Sequence, residues 1–333
     1  MVDFLAATQR VESTMGLTLR RLFHYMKLAL AYLLATSLAA GSGFAMGAWV
    51  KSSGTGGLLG AAAGFAVCAY FIHWSRRGRL YKLWAPHLSI FGRLVEEKSI
   101  PPAKKQLELG SQQVERLFDK SAGLMDLYSQ SGTVLCELFI DKFNLKAIAA
   151  LPVIGAGLTI KLSVLLASLR DVLLIFSLGE DIKNPWETMH NNLELVAKHL
   201  SSIQRSMLMV LIMQVVGTLL AFIVWYVAID WLADHWPDID MTAWKILLTG
   251  LLSWIMYAAF IYPIAVNAML DEFLKITAQS PTNDTAQEQL ADFPALDEIA
   301  KQAQTYNLPA ETPEQEPNST IEESYQDDDS DES

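Results

Sequence analysis

A chain of 333 residues with 52% hydrophobic and only 18% charged residues, at a mean hydropathy of +0.25, is too apolar for an ordinary soluble domain and points to membrane insertion. Its net charge of -11 is uneven: from Asp271 onward seventeen acids face two lysines, leaving nineteen acids against twenty-three bases before that point. That balance argues against a nucleic-acid partner, and two lone cysteines, Cys68 and Cys136, argue against a disulfide framework or a cysteine metal site.

Residues 1–27 carry Arg10, Arg20, Arg21 and Lys27 and read as a cytoplasmic N-terminus ahead of the first apolar run, 28–50. A crossing helix needs about 20 apolar residues, so this run qualifies, as does 56–74 after the short KSSGTGG turn. Because a second span follows at once, the first is expected to be an uncleaved anchor and not a signal peptide. Gly43 and Gly47, then Gly56, Gly60 and Gly64, recur at four-residue steps. This spacing lets membrane helices approach closely, within this hairpin (28–74) or between two copies of the chain.

The second span ends in a basic cluster, Arg76, Arg77, Arg79 and Lys82, suited to lipid headgroups and to retention in the cytoplasm. Residues 75–146 are polar enough to form a cytoplasmic helical region. Beyond Pro101 and Pro102, the apolar positions Val114, Leu117, Phe118, Leu124, Met125 and Tyr128 predict an amphipathic helix. A second helix is expected after SQSG, over 134–143.

Residues 147–179 are apolar but contain Lys161, Arg170 and Asp171. Lys161 and Arg170 lie nine residues apart, on opposite faces of a helix, so a full crossing would bury charge at about 2.5 to 3.5 kcal/mol each. Pro152, Gly155 and Gly157 supply a natural tip in LPVIGAG, which favours a re-entrant or interfacial hairpin over a fifth span. Residues 180–206 begin with Asn184 as N-cap and Pro185 at the first helical position, and the apolar stripe Met189, Leu193, Val196, Leu200, Ile203 predicts an amphipathic cytoplasmic helix running unbroken into the third span.

The spans 207–232 and 244–270 form a second hairpin around a loop, 233–243, that contains acids and no Lys or Arg. Residues 271–333 have the composition of a disordered acidic tail, with a short helix possible over PALDEIAKQAQTY. The fold expected is an all-α integral membrane protein with two transmembrane hairpins and both termini cytoplasmic, consistent with a bacterial inner membrane. Six histidines form no ligand set, and neither a P-loop nor a GxSxG motif is present, so no cofactor, metal or enzymatic activity is expected. The functional expectation is a membrane scaffold or accessory subunit. It would contact the bilayer, other membrane subunits or further copies of itself, and a basic cytoplasmic partner through the acidic tail. The alternative is an oligomeric channel or transporter with a path lined by 147–179.

Overall fold

The computed structural model describes residues 3–49, 51–235, 242–279, 290 and 293–307, and among them every regular element is helical. Four helical runs are long and apolar enough to cross a membrane: Met15–Trp49, Ser53–Ile72, Leu200–Ala233 and Trp244–Thr277. The apolar helix Ile154–Leu165 falls short of the required length.

In chain order the helices are α1 (Phe4–Ser13), α2 (Met15–Trp49), α3 (Ser53–Trp74), α4 (Arg76–Arg79), α5 (Ala85–Val95), α6 (Ala103–Leu117), α7 (Ser121–Lys142), α8 (Lys146–Ala149), α9 (Pro152–Leu165), α10 (Ala167–Ser177), α11 (Pro185–Lys198), α12 (Leu200–Ala233), α13 (Thr242–Met256), α14 (Tyr262–Thr277) and α15 (Pro294–Thr305). The spans α2 and α3 form one hairpin, and α12 with the continuous α13 and α14 forms the other. Both hairpins grow from one helical body centred on α10, which touches α5, α7, α11 and α14.

At that centre, much of the apolar surface of 147–179 is buried against protein. Leu169, Leu173 and Leu174 of α10 are fully buried, and Phe176 meets Phe273 of α14 at a ring distance of 5.4 Å. Burying each such side chain is worth about 1.5 to 3 kcal/mol, so packing against protein satisfies the apolar demand that lipid would otherwise meet. The last turns of the fourth span serve the same core: Ala265, Met269 and Phe273 are buried, and Asp271 is paired with Arg10 of α1 at 2.7 Å.

Several sequence expectations change. The helix expected to break at SQSG continues through it as α7, and the break falls instead at 118–120, between α6 and α7. Gly132 in that stretch is a packing site: a Cβ there would lie 2.8 Å from Arg170 Nη1. The helix expected to run unbroken into the third span is interrupted at His199, which ends α11 and precedes α12. The hairpin tip expected in LPVIGAG is helical: Pro152 starts α9, where its missing N–H costs nothing, and Gly155 and Gly157 lie inside the helix. The chain turns before it, at Ala150 and Leu151, and Gly155 is needed because a Cβ would strike the Ala149 carbonyl.

The region 271–333 is not a tail from its first residue, because Asp271 to Thr277 complete α14. Further on, α15 docks on α7 and α11 with Leu296 and Ile299 buried. Asn184 caps α11 as its sequence predicts, accepting from Trp186 N at 3.1 Å and Glu187 N at 3.2 Å. Its amide also donates to Ala303 O at 2.7 Å, tying α15 down. Residues 308–333, which carry most of the acidic sequence, lie outside the described residues.

Candidate functional site

The seam between the membrane hairpins and the helical body is built by two prolines. Each follows a widened π-helical turn, Leu80–Trp84 before Pro86 and Tyr257–Ile261 before Pro263. A proline cannot donate to the carbonyl behind it, so the turn preceding it is free to widen. In the second turn Tyr262 N–H bonds to Tyr257 O, and Pro263 has no N–H to offer Ala258 O. Arg21 of α2 fills the vacancy, its Nη2 donating to Ala258 O at 2.6 Å.

Arg21 is only 2% exposed, and its guanidinium lies 3.8 Å over the Trp84 ring. Its other terminal nitrogen, Nη1, is buried with no hydrogen-bond partner. Trp84, in the first widened turn, donates its Nε1–H to Asp171 Oδ2 at 2.7 Å. Asp171 also accepts from Tyr262 OH at 2.6 Å and Tyr128 OH at 2.9 Å, so one buried carboxylate joins α7, α10, the widened turn before α5, and α14. Burial pushes the Asp171 carboxyl upward, opposed by Arg170 and by three donors that favour the ionised form. Arg170 covers the Tyr128 ring at 3.9 Å.

Beside this seam, His87 of α5 is fully buried, and its Nε2 makes a 3.0 Å hydrogen bond with Thr14 Oγ1. The Thr14 hydroxyl lies 3.2 Å from Arg10 O as donor, which leaves it to accept from a neutral imidazole. Burial, with nearby Arg21, holds the His87 pKa well below the ordinary histidine value.

Between the two hairpins the seam borders an open cavity of about 340 Å³. Its polar lining is Arg21, Arg79, Asp171 and the tyrosines Tyr25, Tyr128, Tyr257 and Tyr262; Leu28, Ile72 and Trp254 contribute apolar wall from the spans. Arg79, from the basic cluster at the end of the second span, turns back to donate to Ser75 Oγ at 2.7 Å and Ile72 O at 2.6 Å. Such a chamber can hold a small anion-bearing group beside aromatic surface. Among the described residues no group of three or more His, Cys, Asp or Glu stands ready for a metal ion.

The residues singled out by sequence divide. Gly43, Gly47, Gly56, Gly60 and Gly64 are brought together at the α2–α3 contact: a Cβ on Gly43 would strike the Gly56 carbonyl, and one on Gly64 would lie 2.8 Å from Ala35 O. They therefore close this hairpin from within. Arg170 and Asp171 sit in the seam, whereas Lys161 is exposed on α9 and apart from it. Gly155 is buried against α8 and Gly157 faces open space. The side chains of Pro152, Arg76 and Arg77 lie outside the described residues; Lys82 is exposed.

Sequence reasoning counted Arg21 only as a topological charge and Tyr128 only as an apolar position on a helix, and passed over Trp84 and Tyr262. A signal was present: WAP and IYP each place an aromatic residue beside a proline. Thr14, Leu17, Thr18 and Arg21, all buried, follow helical spacing into the base of the first span. No protein-family model, curated protein or solved structure matches this chain.

Proposed function

We propose that the chain is a non-enzymatic scaffold or accessory subunit of a membrane assembly. In this reading the helical body lies on the cytoplasmic face of a bacterial inner membrane and is held rigidly to four spans. The observation that carries it is α9. Its sequence PVIGAGLTIKLSVL is apolar except for Thr159, Lys161 and Ser163, it is too short to cross, and Ile154, Ile160 and Val164 are each more than half exposed. An apolar ridge of this kind marks a contact with another protein or with the bilayer surface. Leu162 and Leu166 anchor it to the body.

The channel alternative would need the 147–179 segment among the spans. The main contacts of α9 are with α7, α8 and α10, and Lys161 is exposed.

The test is photo-crosslinking in living cells from positions 154, 160 and 164, with the lipid-exposed span position 219 as control. A discrete protein adduct from α9 positions and none from 219 supports a subunit contact. Equal, diffuse adducts from both sets would remove the reading. The cytoplasmic placement is checked by a single cysteine at exposed Glu187, which should react with an impermeant maleimide only after lysis.

A further inference from the structure

We propose that the cavity between the two hairpins binds the phosphate headgroup of an anionic membrane lipid. Two guanidiniums, Arg21 and Arg79, line it against one carboxylate, Asp171, whose charge is already met by three donors and by neighbouring Arg170. The chamber is therefore cationic. Arg21 brings a specific vacancy: Nη2 is committed to Ala258 O, while Nη1 is buried and unpartnered in a side chain 2% exposed. A buried N–H of a charged group calls for an acceptor, and a phosphate oxygen is the acceptor a guanidinium matches best.

The rest of the lining selects a lipid over a soluble phosphate. Leu28 and Ile72 are half-buried residues of the first and second spans, and Trp254 belongs to the fourth, so the apolar wall continues into surface that faces hydrocarbon. Tyr25 packs edge-on to Trp254 at 5.4 Å, an aromatic pair of the kind that sits at headgroup depth. A volume of about 340 Å³ admits a glycerol-phosphate headgroup with its acyl chains left outside along the spans. Two of the lining aromatic faces are already covered by guanidinium, Trp84 by Arg21 and Tyr128 by Arg170, and the charges of Arg21 and Arg79 repel a further ammonium. This favours phosphatidylglycerol over phosphatidylcholine.

The experiment is native mass spectrometry of the full chain released from nanodiscs containing equal phosphatidylglycerol and phosphatidylcholine. Parallel samples receive millimolar inorganic phosphate or glycerol phosphate. Wild type should retain one phosphatidylglycerol per chain, favoured about tenfold over phosphatidylcholine, and Arg21→Gln or Arg79→Gln should each lower retention about tenfold. Ile72→Trp, which fills the wall without touching a charge, should abolish retention while leaving helix content intact; it covers the case in which Arg21→Gln fails to fold. Arg20→Gln and Lys27→Gln remove exposed charges outside the cavity and should leave retention unchanged.

Equal retention of the two lipids would overturn the proposal. So would loss in Arg20→Gln or Lys27→Gln as large as in Arg79→Gln, which would mean diffuse surface attraction. Displacement of the lipid by millimolar inorganic phosphate would overturn the lipid assignment in favour of a soluble ion.

Discussion

Replacing Asp171 with leucine tests whether the seam holds the two hairpins to the helical body. The substitution removes the acceptor of three donors, Trp84 Nε1–H, Tyr128 OH and Tyr262 OH, now at 2.7, 2.9 and 2.6 Å. A leucine has the same branched four-atom shape with bulkier methyls, so no cavity is created and any overpacking adds to the polar cost. Each donor left without a partner in a buried site costs about 1 to 3 kcal/mol, and those lining the cavity can recover part of it from water. Arg170, 8% exposed, also loses the opposing charge of its neighbour. The expected loss is about 3 to 6 kcal/mol, a large fraction of the roughly 5 to 15 kcal/mol that holds a native fold together. The assay is SDS titration of the purified protein in detergent, followed by far-ultraviolet circular dichroism and tryptophan fluorescence. Tyr262→Phe, which removes one donor and leaves the acceptor two others, should cost about 1.5 to 3 kcal/mol. If Asp171→Leu unfolds within about 1 kcal/mol of wild type, the three hydrogen bonds do not hold the seam and the reasoning fails.

Three further outcomes follow from the geometry. In the first hairpin, Gly43→Ala should separate α2 from α3 because its Cβ meets the Gly56 backbone. Gly41→Ala, where nothing lies within 4 Å, should instead stabilise α2 by about 0.5 to 1 kcal/mol; equal effects in the same titration would refute the close contact. Asn184→Ala should cost about 1 kcal/mol as a lost cap, and its lost bond to Ala303 O should raise amide exchange in α15 before the rest of the body; uniform exchange would count against that tether. His87 is held neutral by burial, with a folded-state pKa well below its unfolded value of about 6.5. Its contribution is complete above pH 6.5 and is lost as pH falls, because the unfolded chain then binds the proton that the folded chain refuses, at about 1.4 kcal/mol per pH unit. The wild-type minus His87→Gln stability difference, measured between pH 7.5 and 5, should show that slope; a flat difference would mean that His87 ionises freely in the folded protein.

The four helices long and apolar enough to cross were legible from the chain because length and hydropathy are local quantities. The glycine steps from Gly43 to Gly64 and the Asn184–Pro185 helix start were legible for the same reason: their partners lie within a turn of helix or across one short loop. Residues 147–179 show the limit. Their apolar content satisfies a membrane or a protein core equally, and only the arrival of α5, α7, α11 and α14 around α10 decided for the core. The seam was beyond reading because its contacts join residues far apart in the chain, Arg21 with Ala258 and Trp84 with Asp171. Sequence alone determined four segments long and apolar enough to cross a membrane. Tertiary structure turned a topological arginine into a buried one, because only folding carries Trp84 over its guanidinium and sets a carbonyl freed by Pro263 within its reach.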